Sequence, residues 1–79
     1  MAELPVLDMT IVNAIKKLME NIKNDINPGN SADDIADLVY DHKLMEKAAY
    51  KPILKSVCDL LREKGYPMTA DLLSKHWKI

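Results

Sequence analysis

The chain has no phenylalanine, one tryptophan (Trp77) and three tyrosines (Tyr40, Tyr50 and Tyr66), so its interior has to be assembled from Leu, Ile, Val, Met and Ala. That palette suits helix faces better than pleated sheets. Cysteine is almost missing: Cys58 stands alone, which excludes an internal disulfide framework and a zinc site built on paired thiolates. The only glycines, Gly29 and Gly65, lie far apart, so there is no glycine-rich loop to cradle a phosphate. No apolar run approaches the roughly 20 residues of a membrane span, and the N-terminus lacks the basic start and continuous apolar stretch of a secretory signal. These absences predict a soluble intracellular protein, cytoplasmic or nuclear, with no membrane contact and no cofactor.

What is present fits one small domain. The 79 residues are 48% apolar, and a chain this short buries only roughly 60% of the surface its unfolded form exposes. Its stability margin is therefore thin. Met9, Met19, Met45 and Met68 supply flexible apolar side chains that fill gaps or adapt to partners. The near-neutral net charge conceals an asymmetry, since residues 1–50 hold five lysines against nine acids while residues 51–79 hold six basic residues against three acids. A surplus that small is far from the dense basic stripe on which phosphate affinity depends.

Helix signals run along most of the sequence. Residues 1–7, with Pro5, read as a loose leader. Asp8 or Thr10 is placed to cap a first helix, with Leu7 and Val12 in hydrophobic-staple positions if Asp8 is the cap. Ile11, Ala14, Ile15, Leu18, Met19, Ile22 and Ile26 then recur at steps of three and four, predicting a helix to about Asn24 with one buried stripe. Asn27-Pro28-Gly29-Asn30 breaks it, and Ser31 with Asp34 resembles a capping box opening a second helix whose inner face is Ile35, Leu38 and Val39. Past Tyr40 two readings stand: Asp41 caps another short helix carrying Leu44, Met45, Ala48 and Ala49, or the second helix runs on. Pro52 opens a helix to Lys64 with a stripe of Ile53, Val57, Leu60 and Leu61, Gly65 closes it, and Thr69 caps a last helix through Trp77 carrying Ala70 and Leu73. The expected fold is all-α, a compact bundle of four to five short helices spanning residues 1–79 as a single domain.

Catalysis and metal binding find little to stand on. The loop from Asp25 to Ser31, with Asp33 and Asp34, invites comparison with a calcium loop, yet counting from Asp25 puts glycine fifth and Ala36 at the closing position. A turn followed by a helix cap is the simpler account. His42 and His76 have no apparent nucleophile or converging ligands, and Cys58 sits on or beside an apolar stripe where packing, not reactivity, is expected. No catalytic, metal or cofactor residue is assigned, and the chain is not expected to be an enzyme. A helix-turn-helix would place Lys51, Lys55 and Arg62 on its second helix, but about ten residues intervene where a turn of three or four belongs.

Ile53-Leu54-Lys55-Ser56-Val57-Cys58-Asp59-Leu60, followed by Ala70-Asp71-Leu72-Leu73-Ser74-Lys75-His76-Trp77-Lys78, resembles the last two helices of the TFIIS N-terminal domain of transcription elongation factors. Ile53, Val57, Leu60, Ala70, Leu73, Trp77 and Lys78 fall at matching places, although Leu54 stands where that family commonly has glycine. The resemblance implies a non-enzymatic helical bundle that docks short disordered segments of transcription partners through a surface involving Lys55, Arg62, Lys75 and Trp77. A second likeness competes for the same stretch: Leu60-Leu61-Arg62-Glu63-Lys64-Gly65-Tyr66 with Thr69-Ala70 is similar to the LisH motif, a helical hairpin that dimerises. The reading that follows is a protein-protein interaction module, possessing no cofactor and binding another protein or a short peptide as a monomer or homodimer. A helix-turn-helix-like nucleic-acid-binding regulator and a helical homodimerisation domain are the alternatives.

Overall fold

A computed structural model of the chain describes residues 8–79. Among these, four α-helices follow in order: α1 (Met9–Lys23), α2 (Pro28–Asp41), α3 (Lys51–Glu63) and α4 (Pro67–Trp77), with short 3-10 turns at Leu44–Glu46 and Ala48–Tyr50 between α2 and α3. The expected all-α bundle is what forms. The leader and the Leu7 staple lie outside the described residues.

Each helix start has a local cause. Asp8 has an extended backbone and its Oδ1 accepts from the Thr10 amide at 2.9 Å, satisfying one of the donors a helix N-terminus leaves orphaned. The other starts use proline instead, with Pro28, Pro52 and Pro67 in the first turns of α2, α3 and α4. A proline there has no N–H to satisfy and its φ is already helical. Ser31 and Thr69 are consequently not caps, contrary to the expectation from their spacing. Ser31 lies one turn inside α2, buried, and its hydroxyl donates to the Ile26 carbonyl at 3.5 Å, while Thr69 is half-buried in the first turn of α4.

Three of the four helix ends share one device. After α1, Asp25 turns left-handed (φ 57°), its N–H reaching the Ile22 carbonyl at 3.1 Å and that of Ile26 the Asn21 carbonyl at 2.8 Å. After α3, Gly65 (φ 94°) does the same, with Gly65 N–H to Arg62 at 3.2 Å and Tyr66 N–H to Leu61 at 2.8 Å. After α4, Lys78 (φ 58°) repeats it, with Lys78 N–H to Lys75 at 3.3 Å and Ile79 N–H to Ser74 at 3.0 Å. These paired bonds are the Schellman pattern, in which a left-handed residue lets two donors satisfy the last carbonyls. Only one of the three left-handed positions is glycine. A Cβ on Gly65 would meet nothing within 4 Å, so the requirement there is conformational and not steric.

The helices pack as two hairpins, α1 against α2 and α3 against α4, joined where α1 meets α3 and where the 3-10 turns lie along α2 and α3. The core takes Ile11, Val12, Ile15 and Ile22 from α1, Ala32, Ile35 and Val39 from α2, Leu44 and Tyr50 from the 3-10 turns, Leu54, Val57, Cys58 and Leu61 from α3, and Ala70 and Trp77 from α4. Each large apolar side chain fully buried there contributes on the order of 1.5–3 kcal/mol. On α3 the buried column is Leu54, Val57, Cys58 and Leu61, whereas Ile53 and Leu60 are half-buried at its edge. The apolar face is thus rotated by about one residue from the stripe expected, because α3 carries two adjacent apolar columns and the approach of α4 decides which is central. Ile26, counted in the first stripe, falls beyond the helix end and is exposed.

Candidate functional site

Of the four residues picked out as a partner-binding surface, Trp77 is not available. It is 1% exposed and is the largest fully buried side chain, so the ring is part of the core and cannot touch a partner. Lys55, Arg62 and Lys75 are all exposed. Arg62 is occupied, however: its Nη2 donates to Asp71 Oδ1 at 2.9 Å across the α3–α4 hairpin, and its Nη1 lies 3.6 Å from Asp59 Oδ1. The hydrogen bond to Asp71 is the chief cause that raises the Arg62 pKa further above its ordinary value. This side chain straps two helices together more than it reads a ligand.

Lys55 belongs to a different and shallow feature of the surface. A cleft of about 450 Å3 is lined by Lys51, Pro52, Lys55, Lys78 and Ile79, bringing the first turn of α3 against the residues that follow α4. Lys51 and Lys55 are one helical turn apart and lie on one face. Lys78 joins them because its left-handed backbone reverses the chain after α4, and Ile79 is held by two bonds to Ser74: its N–H to the Ser74 carbonyl, and the Ser74 hydroxyl to its own carbonyl at 2.6 Å. The lining therefore offers three ammonium groups around an apolar floor of Pro52 and Ile79, with no acidic side chain among them. Lys75 is not part of this lining. Sequence spacing points to Lys51 and Lys55, but nothing in it places Lys78 and Ile79 beside them.

The remaining chemistry-bearing residues are dispersed. Cys58 is a free thiol buried in the core, and burial pushes its pKa up; Arg62 acts the other way, while Asp59 and Asp71 add to the rise. His42 is exposed at the end of α2 and His76 is exposed in the last turn of α4. No three His, Cys, Asp or Glu side chains among the described residues converge on a position that could hold a metal ion. Of the Asp25–Ser31 segment, residues 25–27 form a turn with two left-handed residues, Asp25 and Asn27, and Pro28–Ser31 are already the first turn of α2. Between α2 and α3, residues 42–50 with their two 3-10 turns stand where a helix-turn-helix needs three or four residues. No helix of the described residues is long and apolar enough to cross a membrane.

Compared with family models, curated proteins and solved structures, the chain gives no match.

Proposed function

We propose that this protein is a small non-enzymatic interaction module that docks a short disordered segment of a partner protein, rich in acidic and apolar residues, in the cleft of Lys51, Pro52, Lys55, Lys78 and Ile79. The observation that carries this reading is the composition of that cleft: three lysines around an apolar floor, with no acidic side chain in the lining. Apolar side chains of the segment gain burial on Pro52 and Ile79, while the ammonium groups steer and orient its carboxylates. The resemblance of residues 53–78 to the TFIIS N-terminal domain supports a place among transcription factors, as an adaptor or regulator. Catalysis is outside this proposal.

The test is titration of the labelled protein with synthetic peptides of alternating aspartate and leucine, followed by amide NMR. The expected result is perturbation centred on Lys51–Lys55 and on Lys78 and Ile79, and roughly tenfold weaker binding for the Lys51→Glu/Lys55→Glu variant, as expected when charges facing the partner are reversed. Perturbations confined to other surfaces, or none at all, overturn the proposal.

One observation favours the homodimerisation alternative. Met68 and Leu72, 84% and 69% exposed, stand one turn apart on the outer face of α4. A sedimentation mass of two chains at micromolar concentration, lost in Met68→Lys/Leu72→Lys, would establish that reading, and a mass of one chain would dismiss it.

A further inference from the structure

At the opposite end of the charge distribution lies a second cleft, of about 360 Å3, lined by Val39, Tyr40, Asp41, Lys43, Met45 and Glu46. Its rim holds the aromatic ring most open to solvent, Tyr40 at 77% exposure. An apolar hollow beside an exposed ring is a docking feature, and the charge around it decides what fits. The helix leading into the hollow, α2, carries Asp33, Asp34, Asp37 and Asp41 and no lysine or arginine. All four aspartates are exposed, and none takes part in an ion pair among the described residues. Asp33, Asp37, Tyr40 and Asp41 follow at steps of four, three and one, so three carboxylates share the helix face that presents the ring. Glu46 adds a further negative charge at the rim, against the single cation Lys43.

We infer that this cleft docks a basic and apolar segment of another protein, with an apolar side chain seated among Val39, Tyr40 and Met45 and an arginine or lysine lying over the Tyr40 ring toward Asp37 and Asp41. Each element of that segment has a stated counterpart. The hollow excludes water from the apolar anchor, the ring face attracts a cation, and the aspartate column orients the remaining positive charges. The surface is distinct from the lysine cleft, so the chain presents two docking sites of opposite charge preference, one on each helical hairpin.

The experiment titrates the full chain with synthetic peptides of alternating arginine and leucine, with the aspartate–leucine peptides as a control, and reads amide shifts at two salt concentrations. The arginine–leucine peptide is expected to perturb residues 37–46 and to bind about tenfold more weakly to Tyr40→Ala, the change typical of losing a central aromatic. Tyr40→Phe retains binding, because the ring face and not the hydroxyl meets the cation. Asp37→Asn/Asp41→Asn lowers affinity and flattens the salt dependence. Tyr40 is exposed, so these variants fold, and helical circular dichroism with native Trp77 emission verifies it. Three outcomes overturn the inference: no binding, binding to acidic residues generally with Tyr40→Ala unaffected, or concentration-dependent self-association that Tyr40→Ala abolishes, which would make a second copy of this chain the occupant.

Discussion

The backbone N–H of Asp8 donates to the phenolic oxygen of Tyr50 at 2.8 Å, joining the residue that caps α1 to the last residue before α3, 42 positions later. The ring of Tyr50 is itself buried. One side chain therefore registers the first helix against the connection between the two hairpins. Tyr50→Phe keeps the ring and removes the bond, and is expected to cost about 0.5–1.5 kcal/mol, the net worth of one intramolecular hydrogen bond. Urea unfolding followed by circular dichroism measures it; an unchanged midpoint would show the bond contributes nothing to register.

Trp77, the last residue of α4, is buried in the core. Trp77→Ala is expected to cost about 3 kcal/mol or more, since a large ring is removed from a site that cannot collapse fully. In so small a domain that loss approaches the whole margin. Thermal unfolding checks the magnitude, and because this is the only tryptophan, wild-type emission should move to longer wavelength as the core opens.

Burial disfavours the charged form of the Cys58 thiol, so its pKa in the folded protein exceeds that of the unfolded chain. The folded state then holds the proton at pH values where the unfolded state has released it. The contribution is fully present below the ordinary thiol value of about 8.5 and is lost as pH rises from there through the folded value. Stability should decline in that alkaline window, and Cys58→Ala should decline less. At neutral pH a water-soluble disulfide reagent should modify the thiol only as fast as the protein opens, and fast labelling of the native state would contradict the burial.

Lys43 is held in a left-handed conformation (φ 51°) between α2 and the first 3-10 turn, a position disfavoured for residues with a Cβ. Lys43→Gly relieves that strain while adding freedom to the unfolded chain. The expected balance is a gain of about 0.5–1 kcal/mol, read as a higher urea midpoint. Destabilisation would mean that the lysine side chain contributes more than its backbone strain costs.

Local sequence determined much of the molecule. The steps of three and four among Ile11, Ile15 and Ile22, the cap at Asp8 and the glycine at 65 specify helices and one boundary wherever they are placed, because helix periodicity and φ preferences act within a few residues. The starts of α2 and α4 were harder to read: Ser31 and Thr69 have the right spacing for caps, yet Pro28 and Pro67 open their helices three and two residues earlier. Tertiary structure decided the rest. Which of two apolar columns on α3 is central, whether Trp77 faces the core or a partner, and whether Arg62 is free or strapped to Asp71 all depend on the approach of α4. The lysine cleft likewise exists only because the chain reverses after α4 and brings Lys78 and Ile79 to Lys51 and Lys55. Contacts between residues far apart in sequence carry no signature in local spacing, since burial is a property of the assembled surfaces and not of the segments that supply them.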